Sequence, residues 1–71
     1  MVNTQRLKGS IVGNGKKSQD VADMLGISLK SWYDRMKKKS FDSDEMYKIK
    51  EFLNLSDQDA MEIFFADEVT Q

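Results

Sequence analysis

The sequence predicts an all-α fold, a compact domain of five helices, and three observations predict it. The 71 residues contain no proline, so no helix interior is interrupted. Apolar residues recur at helical spacings, and no stretch alternates apolar and polar residues with period two, so no sheet is expected. Residues that cap helices (Ser18, Ser28, Asp42 and Ser56) stand just ahead of the apolar runs.

Helix 1 is expected from about Thr4 to Val12, with Leu7 and Ile11 four apart on one face, and Gly13-Asn14-Gly15 ends it because these residues tolerate positive φ. Helix 2 is expected to start with Ser18 as N-cap and to turn Val21, Ala22 and Leu25 inward, with Gly26 at its left-handed C-terminus. Ser28 caps helix 3, in which Leu29, Trp32 and Met36 repeat at i, i+3 and i+7. In Asp42-Ser43-Asp44-Glu45 the first and last residues form a capping box for helix 4, whose apolar face is Met46, Ile49 and Leu53 and whose stop is Asn54. Ser56-Asp57-Gln58-Asp59 opens helix 5, with Ala60, Ile63 and Phe64 inward. The polar tail, residues 66–71, is expected to fray.

No linker, repeat or low-complexity tract divides the chain, so a single domain is expected, and a chain this short buries only about 60% of its unfolded surface. With no cysteine there is no disulfide framework or thiolate metal site, which fits a reducing cytoplasm, and with no histidine the commonest general base and metal ligand is missing. Catalysis would fall to carboxylates, lysine or serine, and the carboxylate clusters already serve helix N-termini, so neither an enzyme, a cofactor nor a small-molecule substrate is expected. The Asp42/Asp44/Glu45 and Asp57/Asp59/Glu62 groups lack the spacing of a calcium loop. GNGKKS is no phosphate loop either, since Lys17 stands where serine or threonine is needed and no strand precedes it. No apolar run or leader pattern predicts a membrane span or a secretion signal.

The net charge of −1 conceals an asymmetry. Residues 1–39 carry nine basic side chains against three acidic ones, a net +6, whereas residues 40–71 carry two against nine, a net −7. Such a split hints at a polyanion-binding face on one side.

The stretch VADMLGIS combines several constraints. Ala22 must be small where two helices cross. Gly26 lets the chain reverse without a Cβ clash, Ile27 plugs the turn into the core, Ser28 starts the next helix, and Trp32 ties that helix to the first. Two short helices joined this way form a helix-turn-helix, here helices 2 and 3. With LKGSIV, SFDSDEM and KEFLNLSDQDAMEIFF, the stretch resembles the phage repressor/Cro class of helix-turn-helix proteins over roughly Leu7 to Phe65. It looks most like the small Cro-type regulators of Gram-positive temperate phages, some of which modulate repression by binding the repressor protein itself. The resemblance implies a five-helix domain whose third helix enters the major groove of double-stranded operator DNA, commonly as a homodimer on half-sites about one DNA turn apart.

With Trp32 and Met36 inward, helix 3 exposes Lys30, Tyr33, Asp34 and Lys37, and Ser28, Leu29 and Ser31 lie near the end that meets base edges. Lys30 suits guanine, Tyr33 offers a hydroxyl and apolar contact, Leu29 suits a thymine methyl, and Asp34 can accept from cytosine N4. Ser18 and Gln19 at the start of helix 2 suit backbone or adenine contacts, although Gln19 stands one position nearer Val21 than in the family pattern. Lys16, Lys17, Lys37, Lys38 and Lys39 suit phosphates. The same face could dock the phage repressor protein instead, and the acidic half could meet a repressor's basic surface. In helix 5, Met61, Phe64 and Phe65 exceed what one buried face needs, which permits a dimer or partner surface.

Overall fold

The computed structural model describes residues 1–67 and contains five α-helices: α1 Thr4–Gly13, α2 Ser18–Leu25, α3 Leu29–Lys38, α4 Ser43–Phe52 and α5 Asp57–Phe64. No strand occurs among the described residues, and no helix is long and apolar enough to cross a membrane.

Side chains cap four helices. Asn3 accepts from the Arg6 N–H (3.1 Å), Ser28 Oγ from the Ser31 N–H (3.0 Å) and Ser56 Oγ from the Asp59 N–H (3.0 Å). Asp42 and Glu45 form the expected reciprocal box, at 2.8 and 3.2 Å. The start of α2 differs from expectation: Ser18 is the first helical residue, and Lys17 holds the cap position with extended backbone. Only half a box forms there, the Asp20 carboxylate accepting the Lys17 N–H at 2.8 Å, because a lysine side chain has nothing to accept with. Asp20 sets this boundary, since a carboxylate at the third helical position reaches back to residue 17.

α1 runs one residue past the expected end, and Gly15, not Gly13, carries the positive φ of +70°. Between α2 and α3, Gly26 is left-handed as expected, at φ +73°, and the Ile27 N–H returns to the Ala22 carbonyl at 3.0 Å. A Cβ on Gly26 would meet nothing within 4 Å, so the turn needs glycine for its backbone conformation and not for lack of space. Two further turns use left-handed residues that are not glycine. Asn54 (φ 53°) stops α4 as expected, and Lys39 (φ 55°) ends α3.

The core gathers Leu7, Val21, Ala22, Trp32, Ile49, Leu53 and Ile63, all buried, and each large apolar side chain among them contributes about 1.5–3 kcal/mol. Trp32 packs on Phe41 (centroids 5.4 Å apart), which meets Phe64 edge-on at 6.3 Å. Burial leaves the indole N–H of Trp32 without an acceptor among the described residues. Ile27, Leu25 and Leu29 are half-buried against this cluster. α2 packs on both α3 and α4, and α1 packs on α5.

The N-terminal segment straps the ends of two helices together. The Val2 N–H donates to the Lys39 carbonyl (3.2 Å) and the Asn3 N–H to the Ile63 carbonyl (2.7 Å), with the Val2 side chain buried. Ala66 and Asp67 form a turn, and Asp67 pairs with the terminal amino group of Met1 at 2.8 Å. The rest of the tail expected to fray, 68–71, lies outside the described residues.

Candidate nucleic-acid interface

The backbone of α3 turns Trp32 and Met36 into the core, which leaves Lys30, Tyr33, Asp34 and Lys37 exposed on the opposite side. Tyr33 is 54% exposed even though its neighbour Trp32 is fully covered. Lys38 and Lys39 continue the exposed surface at the C-terminal end. The expected exposed stripe of α3 is therefore present, with the carboxylate of Asp34 inside it.

The N-terminal part of α3 is more committed to the fold. The Ser28 hydroxyl donates to Ser31 Oγ at 3.1 Å while its oxygen caps the helix. Leu29 and Ser31 are half-buried, so Leu29 divides its surface between the core and solvent. Gln19 is exposed, and its amide donates to the Asp23 carboxylate one turn on, at 2.8 Å. Lys39 does structural work through its backbone, ending α3 and accepting the Val2 N–H, while its side chain stays exposed.

One groove joins three elements: Tyr33 from α3, Lys17 and Ser18 at the start of α2 with Lys16 just before it, and Lys8, Ile11 and Val12 from α1. Its volume is about 400 Å³ and no carboxylate lines it. Lys16 is half-buried, its ammonium 5.0 Å from the Phe52 ring centroid, so the aromatic face holds the charge at the groove wall. The groove meets α2 at Lys17 and Ser18, where the Asp20 carboxylate accepts the Lys17 N–H but the Lys17 side chain offers no acceptor to the first turn. Lys8 and Val12 are not among the residues singled out from sequence. Their i, i+4 spacing puts them on one side of α1, but nothing local shows that this side faces Tyr33.

Pairing separates the cations into two sets. Both arginines are spent inside the molecule. Arg6 reaches Asp59 (3.8 Å) and Glu62 on α5, and Arg35 donates from Nε to Glu45 on α4 (2.7 Å) and from Nη1 to the Ser31 carbonyl (3.2 Å). Lys48 pairs with Asp44 and Lys50 with Asp57. Among the described residues, Lys8, Lys16, Lys17, Lys30, Lys37, Lys38 and Lys39 pair with no carboxylate. Arginine's rigid fork suits the fixed internal bridges, and the flexible ammonium groups are left for solvent or an external anion.

Comparison with protein-family models, curated proteins and solved structures finds no match.

Proposed function

We propose that this chain is a small transcriptional regulator of a temperate phage, working in the bacterial cytoplasm, that binds operator DNA through α2, the Gly26 turn and α3. The observation that carries this reading is the groove that gathers Lys8, Lys16, Lys17 and Tyr33 beside the start of α2 with no carboxylate in its lining. An unpaired lysine set of this kind is what a phosphate backbone attracts, since each contact releases condensed counterions. Lys30, Tyr33 and Asp34 on the exposed face of α3 are the base readers in this reading, and the lysines fix register along the backbone. The resemblance of VADMLGIS and its flanks to the repressor/Cro class supports the same assignment and the lysis/lysogeny switch as its setting.

Asp34 favours a second reading. A carboxylate at the centre of the α3 face costs affinity beside phosphates and helps it beside a basic protein surface. In that reading the chain is an anti-repressor that acts by binding the phage repressor protein. Fluorescence anisotropy on the intergenic DNA beside the chain's own gene, at two salt concentrations and with or without the neighbouring repressor, separates the readings. DNA binding by the chain alone that falls steeply with salt supports the operator binder. No binding alone, together with release of the repressor from its DNA, overturns it in favour of the anti-repressor.

A further inference from the structure

The α4–α5 side of the molecule carries a second surface, remote in sequence from the lysine groove. Along α4, Met46 and Tyr47 stand at i and i+1 with Lys50 following, and Ala60 and Phe64 of α5, with Phe65 just past its end, face them. Together they line an apolar groove of about 210 Å³. Tyr47 is 63% exposed, and Met61 and Phe65, one turn apart, are 45% and 40% exposed. The fold does not need them outside: Ile49 and Ile63 supply the buried faces of the same helices.

The charge around this groove has one sign in excess. Residues 42–67 hold eight carboxylates and two lysines, and Arg6, Arg35 and the Met1 amino group pair with four of the carboxylates, which leaves a net −3. Lys48 pairs with Asp44, and Lys50 with Asp57 and Glu51, so these three rim carboxylates share two lysines and keep one negative charge in excess. Asp57 is almost wholly exposed, and Asp44 and Glu51 flank Tyr47 at i−3 and i+4 on α4. A two-fold dimer through this face would set each excess of carboxylates against its own copy, because an isologous contact pairs a patch with itself. That repulsion disfavours a second copy and favours a partner of opposite charge.

We propose that the α4–α5 groove docks a partner protein that presents an amphipathic helix, its apolar stripe seated between Tyr47 and Phe65 and its flanking lysines or arginines facing Asp44, Glu51 and Asp57. Apolar anchors supply the affinity and the carboxylate rim supplies orientation and encounter rate. The chain then has two independent faces, a basic one on α1–α3 and this one, so it can hold a polyanion and a basic helix at once.

The test uses the intact chain and a model amphipathic helical peptide of leucine and lysine, with a leucine–glutamate peptide of the same pattern as control, followed by amide chemical-shift mapping. The lysine peptide is expected to shift resonances of Tyr47, Met61 and Phe65, to bind about tenfold more weakly to Tyr47→Ala, and to lose affinity in Asp57→Lys, a change at a solvent-exposed side chain, with unfolding curves of both variants checking that they stay folded. DNA affinity of Tyr47→Ala stays at the wild-type value, which keeps this outcome separate from the fate of the operator reading. Equal binding of the glutamate peptide, shifts that miss Tyr47 and Phe65, or sedimentation of the chain alone as a dimer that covers this face each overturn the proposal.

Discussion

The lysines of α1–α3 and the lysines of α4–α5 sit on helices of similar length and in the same small domain, yet they live in different electrostatic surroundings. Lys48 and Lys50 each have a carboxylate within 3.3 Å. Lys8, Lys16, Lys17, Lys30 and Lys37–Lys39 have none among the described residues, although three aspartates lie on the same helices. The aspartates are used locally instead: Asp20 accepts the Lys17 N–H, Asp23 accepts from Gln19, and Asp34 points to solvent. Where a charge stands relative to its neighbours decides what it can bind, and the overall −1 says almost nothing about either face.

The comparison breaks most readily by charge reversal. Replacing Lys16 and Lys17 together by glutamate is expected to cut DNA affinity by about a hundredfold or more and to flatten its salt dependence, each lost phosphate contact lowering the slope by about 1. Reversing Lys48 and Lys50 in the same way should leave DNA affinity within about threefold, measured by anisotropy at matched salt. Comparable losses in both double variants would erase the distinction between the faces.

The next largest effect lies in the turns that bound α3. Gly26 and Lys39 adopt nearly the same left-handed conformation, at φ 73° and 55°, but only one is glycine. Gly26→Val forces a β-branched residue into that region and is expected to lower stability by about 2 kcal/mol. Lys39→Gly relieves the same strain and should raise stability by about 0.5–1 kcal/mol, read from urea unfolding, while removing one exposed lysine beside α3. Opposite signs for the two substitutions are the expected result.

A smaller effect concerns the bridge between the halves. Arg35→Met keeps most of the packing volume and removes the contacts to Glu45 and the Ser31 carbonyl, at an expected cost of about 1 kcal/mol in thermal or urea unfolding. A variant as stable as the wild type would show that the bridge does not fasten α3 to α4.

Much of this fold is written in local signals. Ser28, Ser56 and the Asp42–Glu45 box cap the helices they precede, Asn54 stops α4, and Ala22 and Trp32 are buried where the spacing puts them. What the local pattern misses depends on residues brought together from a distance or on competition between neighbours. Ser18 loses the cap to Lys17 because Asp20 reaches back one residue further. Lys39 ends α3 in a left-handed conformation, and its carbonyl meets Val2, a contact between residues far apart in the chain. Lys8 and Val12 join the groove only once α1 lies beside Tyr33. The exposed stripe of α3 was legible from the burial of Trp32 and Met36, and the wall that α1 adds to it was not.

In the proposed function, operator DNA lies on the unpaired lysines of α1–α3. Amide chemical-shift mapping of the intact chain titrated with a duplex from beside its own gene tests it most directly. Large, salt-sensitive shifts are expected at Lys8, Lys17, Lys30 and Tyr33, with α4 and α5 nearly unmoved. Shifts centred on Tyr47, Met61 and Phe65, or none at any residue under low salt, would contradict it.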